Sequence, residues 1–225
     1  MSDVVADTAD TATVGESLYR RIRNDVIFGR LAPGQKLTLD RMRESYGTSI
    51  GTLREVLHRL SSEGFIIAEA SRGFEVTPTS VTNLQEVAAM RQLLECHALR
   101  DSFQSGDIEW EGRVVSAHHK LASMEKRMQA GDRSHVESWK RYDRAFHQAL
   151  ISACGSSVLL EMHGVIYDRY LRYLILADVF RAEATAEHQK LLECALARDW
   201  KAAQATLVSH VQDCVNHVID KRLVQ

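Results

Sequence analysis

The chain has 225 residues, 45% of them apolar and 26% charged, with a formal net charge of −2. That length suits one large domain or two modest ones, and the composition is that of an ordinary folded protein. It excludes a disordered or collagen-like chain and a membrane-spanning one, because no run approaches ~18–20 consecutive apolar residues. The near-neutral charge offers no general pointer to nucleic acid.

The segment 1–13 is small, polar and acidic, without the basic start and apolar core of a secretory signal, and reads as a frayed tail. From there a helix is expected over Ser17–Phe28, with Leu18, Ile22, Val26 and Ile27 on one face. Gly29 ends it, and Pro33-Gly34 turns the chain. Thr38 is placed to cap a short helix over Leu39–Tyr46, which Gly47 stops. Ser49 caps a third helix through Leu53, Val56, Leu57 and Leu60, ending at Gly64. Phe65–Glu69 and Gly73–Thr77 then read as two strands around Ala70-Ser71-Arg72. Helix, helix, tight turn, helix and hairpin in that order is a helix-turn-helix with a β-wing. Residues 14–78 hold ten basic and eight acidic residues, whereas 79–225 hold 18 and 19. The basic bias is small, so a DNA-binding reading rests on the motif and its geometry.

Pro78 marks a seam between two domains, 14–78 and 79–225, and no proline follows it. Six helices are expected beyond it, over 82–105, 108–130, 134–153, 156–178, 181–197 and 200–221. The fold class is therefore mainly α, a winged helix-turn-helix joined to an all-helical bundle. Cys96, Cys154, Cys194 and Cys214 form no Cys-x-x-Cys pair. They read as reduced, mostly buried thiols of a cytoplasmic protein.

Ser49, Gly51, Thr52 and Arg54 occupy the start of the third helix, where side chains face base edges or phosphates in a major groove. Arg41 on the preceding helix is a candidate phosphate contact. Arg72 and Gly73 at the wing tip suit a minor groove. Asp143 and His147, four apart, share one helix face. With His188 and His210 they supply three imidazoles and a carboxylate from three helices, a set that suits zinc, nickel or another divalent transition metal. Spacing alone leaves the plainer reading open, in which each is an isolated, partly buried polar residue. His58, His97, His118, His119, His135, His163 and His217 are left in that plainer class. Arg91, Arg172 and Tyr173 are candidates to hold a small carboxylate, since a guanidinium binds both oxygens and Tyr173 adds a hydroxyl.

The runs "LYRRIRNDVIFGRLAPGQKL", "GTLREVLHRLSSEGFI" and "SRGFEVTP" resemble the winged helix of GntR-family regulators, almost continuously over 14–78. Many relatives carry an arginine where Ile50 stands, so no family operator sequence is carried over. Residues 82–221 resemble the helical FCD domain of the FadR subfamily. "DRAFHQALISACGSSVLL" matches its Asp-x-x-x-His helix and "EHQKLLECALARDWKAAQATLVSH" its paired histidines. The resemblance implies a homodimeric repressor on double-stranded operator DNA, controlled by a small organic acid at a metal held by Asp143, His147, His188 and His210. Two alternatives remain: a metal-dependent hydrolase with a DNA-binding appendage, and a DNA-binding protein whose metal is purely structural. Against the hydrolase, the sequence offers no separate general base or nucleophile motif.

Overall fold

A computed structural model describes residues 13–69, 73–177 and 180–221. Most of the expected 1–13 tail and the Ala70-Ser71-Arg72 turn lie outside the described residues, and with them the candidate Arg72. The chain divides into two compact units, the second beginning at Pro78 and also including 27–29.

The first unit is built on helix α1 (Val14–Ile27), strand β1 (Lys36–Leu37), helices α2 (Leu39–Tyr46) and α3 (Ile50–Ser62), and strands β2 (Ile66–Glu69) and β3 (Gly73–Val76). Leu18, Ile22 and Val26 of α1 repeat at helical spacing and are buried, as are Leu53, Val56, Leu57 and Leu60 of α3. The three strands are antiparallel in the order β1-β3-β2, with Leu37 opposite Phe74 and Ile66 opposite Val76. β1 was not expected, because two residues are too few to show a period. Thr38 stands at the start of α2 with extended backbone, yet its side chain makes no capping bond. Ser49 does cap α3, its hydroxyl accepting from the Thr52 amide at 3.1 Å.

The second unit is entirely helical among its described residues. It comprises α4 (Val81–Ser105), α5 (Ile108–Gln129), α6 (Val136–Ile151), α7 (Ser157–Leu176), α8 (Glu183–Leu196) and α9 (Trp200–Asp220). Ser80, Asp107, Ser156 and Asp199 each cap the helix that follows by accepting a backbone amide. The observed helices sit within two residues of the expected spans. Leu84, Leu99, Phe103, Trp110, Leu121, Phe146, Leu150, Leu191, Leu207 and Val211 form one apolar core. Trp110 is fully buried and donates its indole N–H to the Ala149 carbonyl at 3.0 Å, tying α5 to α6. Gly106 makes room for it: a Cβ there would stand 2.5 Å from the indole ring. No described helix is long and apolar enough to cross a membrane.

Candidate metal centre and nucleic-acid interface

In the first unit, internal pairing sorts the arginines. Arg20 and Arg59 bond Glu16, Arg23 bonds Glu63, and Arg30 bonds Asp25. Arg59 also stacks on Tyr19, 3.6 Å from its ring centroid. Arg41 and Arg43 on α2 and Arg54 on α3 are exposed and have no ion pair among the described residues. Gly51 and Arg54 lie on the exposed side of α3, and Gly73 is exposed at the start of β3. Thr52 is half-buried, and its hydroxyl lies 2.9 Å from that of Ser49. Those two hydroxyls and the free amides of the α3 N-terminus form a polar, positively biased helix end. Ile50 is half-buried.

In the second unit, three imidazoles converge. His147 comes from α6, His188 from α8 and His210 from α9, and one ring nitrogen of each lies within 4.8 Å of the other two. Each ring is held from its Nδ1 side by a carboxylate on a different helix. His147 Nδ1 donates to Glu95 of α4 at 2.5 Å, His188 Nδ1 to Glu125 of α5 at 2.7 Å, and His210 Nδ1 to Glu187 of α8 at 2.7 Å. The Nε2 atoms of His147 and His188 are buried without a hydrogen-bond partner. Asp143, one turn before His147 on α6, reaches the group as well. Its Oδ1 is 3.3 Å from His188 Nε2, not aligned as a hydrogen bond, and its Oδ2 accepts from the Tyr167 hydroxyl at 2.9 Å. A carboxylate behind an imidazole fixes its tautomer and aims the opposite nitrogen, the usual support of a metal-ligating histidine.

The electrostatics suit a cation. Burial pushes the His210 imidazole down to about 3 despite its bond to Glu187, so the ring is neutral and can donate a lone pair. Burial lowers His147 too, against the opposing charge of Glu95. Burial works against ionising Asp143, but the charge of Lys140 leads the effects that outweigh it and hold the carboxyl below the ordinary range. Orphaned, buried ring nitrogens beside an ionised carboxylate are costly unless something electrophilic sits among them. A divalent transition metal fits this donor set, which has three nitrogens, a carboxylate and no thiolate.

Arg91 also belongs to this centre. It is buried, donates Nε to Glu95 at 2.9 Å, and lies over the rings of Tyr167 and Tyr170. Its Nη2 is buried without a partner. Arg172 and Tyr173 are buried on α7 but placed differently. They lie roughly 180° and 80° around the helix from His163, which faces Glu95. The Tyr173 hydroxyl is used at the start of α4, donating to Asn83 Oδ1 at 3.0 Å. Sequence reasoning left His163 among the unremarkable histidines, yet it is fully buried and donates Nε2 to Glu95 at 3.2 Å. It also missed Glu95, Glu125 and Tyr167. The one available signal was Arg91 and Glu95 four apart on an otherwise apolar helix face.

Comparison with known proteins agrees with this two-part architecture. Residues 15–76 match the model for bacterial regulatory proteins of the gntR family, and residues 86–213 match the FCD domain. The chain is 35% identical over 213 residues to the HTH-type transcriptional regulator BphR of Paraburkholderia xenovorans (strain LB400), covering 93% of this chain and 87% of that one. It is 30% identical over 202 residues to the HTH-type transcriptional repressor GlaR of Escherichia coli (strain K12), covering 86% and 90%. Among solved structures, E. coli McbR/YncC shares the fold with a TM-score of 0.79 at 20% identity, over 93% of this chain and 99% of that one. BphR and GlaR are transcriptional regulators by name rather than enzymes, which removes the metal-dependent hydrolase. The chain therefore belongs to the gntR family of bacterial regulatory proteins, as a transcriptional regulator with an N-terminal DNA-binding helix-turn-helix and a C-terminal FCD domain.

Proposed function

We propose that this regulator is a cytoplasmic, homodimeric repressor whose hold on operator DNA is set by a small carboxylate bound at a divalent metal, zinc or nickel, in the helical domain. Asp143, His147, His188 and His210 hold the ion, and Arg91 is tied to it through Glu95, the carboxylate behind His147. The observation that carries the reading is the set of three buried imidazoles, each fixed by a carboxylate at Nδ1, with Nε2 of His147 and His188 left without partners. Bound there, the ion supplies a Lewis acid that attracts a carboxylate oxygen. The chain's own residues orient the donors and exclude water. Arg54, Arg41, Ser49, Gly51, Thr52, Arg72 and Gly73 are proposed to face DNA. Repression is supported by the likeness to GlaR, a repressor by name. A second copy is compatible with the exposed apolar side chains of Met90 and Leu93 on α4 and of Val158 and Met162 on α7.

The test is elemental analysis of protein purified without a histidine tag or chelator. One transition-metal ion per chain is expected, absent from His188→Ala. Metal that stays substoichiometric after zinc, nickel or manganese is added overturns the reading. A purely structural metal would instead leave operator binding indifferent to every carboxylate offered.

A further inference from the structure

Lys140 lies on α6, three residues before Asp143 and seven before His147, so these side chains share one face of that helix. It is 4% exposed, yet has neither a hydrogen bond nor an ion pair among the described residues. A buried ammonium without a partner is rare, because the charge gives up its hydration and gains no counter-charge in return. Burial pulls the amine's own pKa down, and the Asp143 carboxylate is the first charge that opposes it. With the shared helix face, this places the amine beside the histidine centre.

The charges around that centre locate a gap. The carboxylate of Glu95 is matched by Arg91 at 2.9 Å. The carboxylate of Glu187, behind His210, is matched by Arg181 at 2.8 Å, and a divalent ion among the imidazoles would be matched by the carboxylates of Asp143 and Glu125. Lys140 is then left with no counter-charge. Its surroundings are aromatic: Nζ is 3.8 Å from the centroid of the Trp139 ring, and Phe180 meets that ring edge-on at 5.2 Å. The Trp139 indole N–H is also buried without a partner. An unmatched cation and an unused donor beside an aromatic wall are what an amphiphilic anion requires.

We propose that Lys140 is the residue that holds the anionic group of the effector, with the Trp139 indole N–H as a second donor and the rings of Trp139 and Phe180 against its carbon skeleton. This rests on the carboxylate-effector reading and assigns its charge recognition to α6, whereas Arg91 is already matched by Glu95. The ligand class is a small organic acid that enters as an anion, and its neutral amide lacks the charge Lys140 needs.

The experiment uses the full chain, loaded with one metal ion as verified by elemental analysis. Mono- and dicarboxylates of two to six carbons are titrated calorimetrically beside their amides. At least one carboxylate should bind saturably, with its amide ten-fold weaker or more. In Lys140→Met and Lys140→Gln that carboxylate should lose ten-fold or more in affinity, and its preference over the amide should shrink, at unchanged metal content. Removing an unpaired buried charge should leave the melting temperature equal or higher, and two replacements guard against one that folds poorly. Affinity within two-fold of the parent in either folded variant overturns the role of Lys140 and leaves the carboxylate reading standing. A parent protein that binds none of the acids overturns both.

Discussion

Glu95 should be among the costliest positions in the chain to neutralise. It is fully buried and accepts from Arg91 Nε at 2.9 Å, His147 Nδ1 at 2.5 Å and His163 Nε2 at 3.2 Å. Burial alone would raise its pKa, but Arg91 first and then His147 and His163 hold the carboxyl well below the ordinary value. Glu95→Leu keeps roughly the volume and deletes the charge. The Arg91 guanidinium is then stranded without a counter-ion, a loss of about 3–5 kcal/mol. The two imidazole bonds overlap with that loss in one network, so they are not added to it. For a chain of this size the melting temperature should fall by roughly 6–20 °C at ~2–4 °C per kcal/mol. The assay is urea and thermal unfolding of chelator-treated protein, so that ligand linkage does not enter. Arg91→Met/Glu95→Leu removes both charges and should fall short of the sum of the single changes by more than about 1 kcal/mol. A single-mutant loss under about 1 kcal/mol, or strict additivity, would refute the argument that the two charges depend on each other. In untreated protein the same change should weaken metal binding by about 10–100-fold, because His147 loses the carboxylate that aims it.

Further outcomes follow from other residues. Arg54→Ala should weaken operator binding and lower the salt slope by about one, as for one lost phosphate contact; a gel-shift series across salt that overlays the parent removes Arg54 from the interface. His188→Ala should lose both metal and thermal stability. His118→Ala should keep its metal, because His118 packs edge-on against Phe146 rather than joining the imidazole group, and equal metal loss in both would contradict that placement. Gly106→Ala should cost about 1–3 kcal/mol by overpacking, since the added carbon meets a Trp110 ring anchored by its bond to Ala149. Unchanged unfolding would mean that the ring has room to move.

What the sequence disclosed depended on the range of the interactions. The helices of both units were legible because their apolar periods, and for the third helix the cap at Ser49, are local features. β1 was hidden because its two residues take their structure from β3, not from a pattern of their own. At the centre, Asp143 and His147 showed themselves by spacing on one helix, His188 and His210 were added as histidines on two later helices, and the family resemblance bound the four into one set. The carboxylates behind them could not be found that way. Glu95 meets His147 across 52 residues and Glu125 meets His188 across 63, and an acid on a helix looks the same in sequence whether it faces water or a ring nitrogen. Arg172 illustrates the converse: its aromatic neighbours correctly indicated burial, but not which side of α7 it occupies.

The distances along the chain between these carboxylate–imidazole partners also bear on time. Arg91 and Glu95 can meet within α4 as soon as that helix forms, but their imidazole partners arrive only when α6 and α7 dock against it. Glu125 and His188 wait in the same way for α8 to reach α5. Bonds made only after the helices have closed on one another contribute little to the folding barrier and mostly slow escape from the native state. The polar centre should therefore act as a brake on unfolding, setting how long each molecule persists more than how quickly it forms.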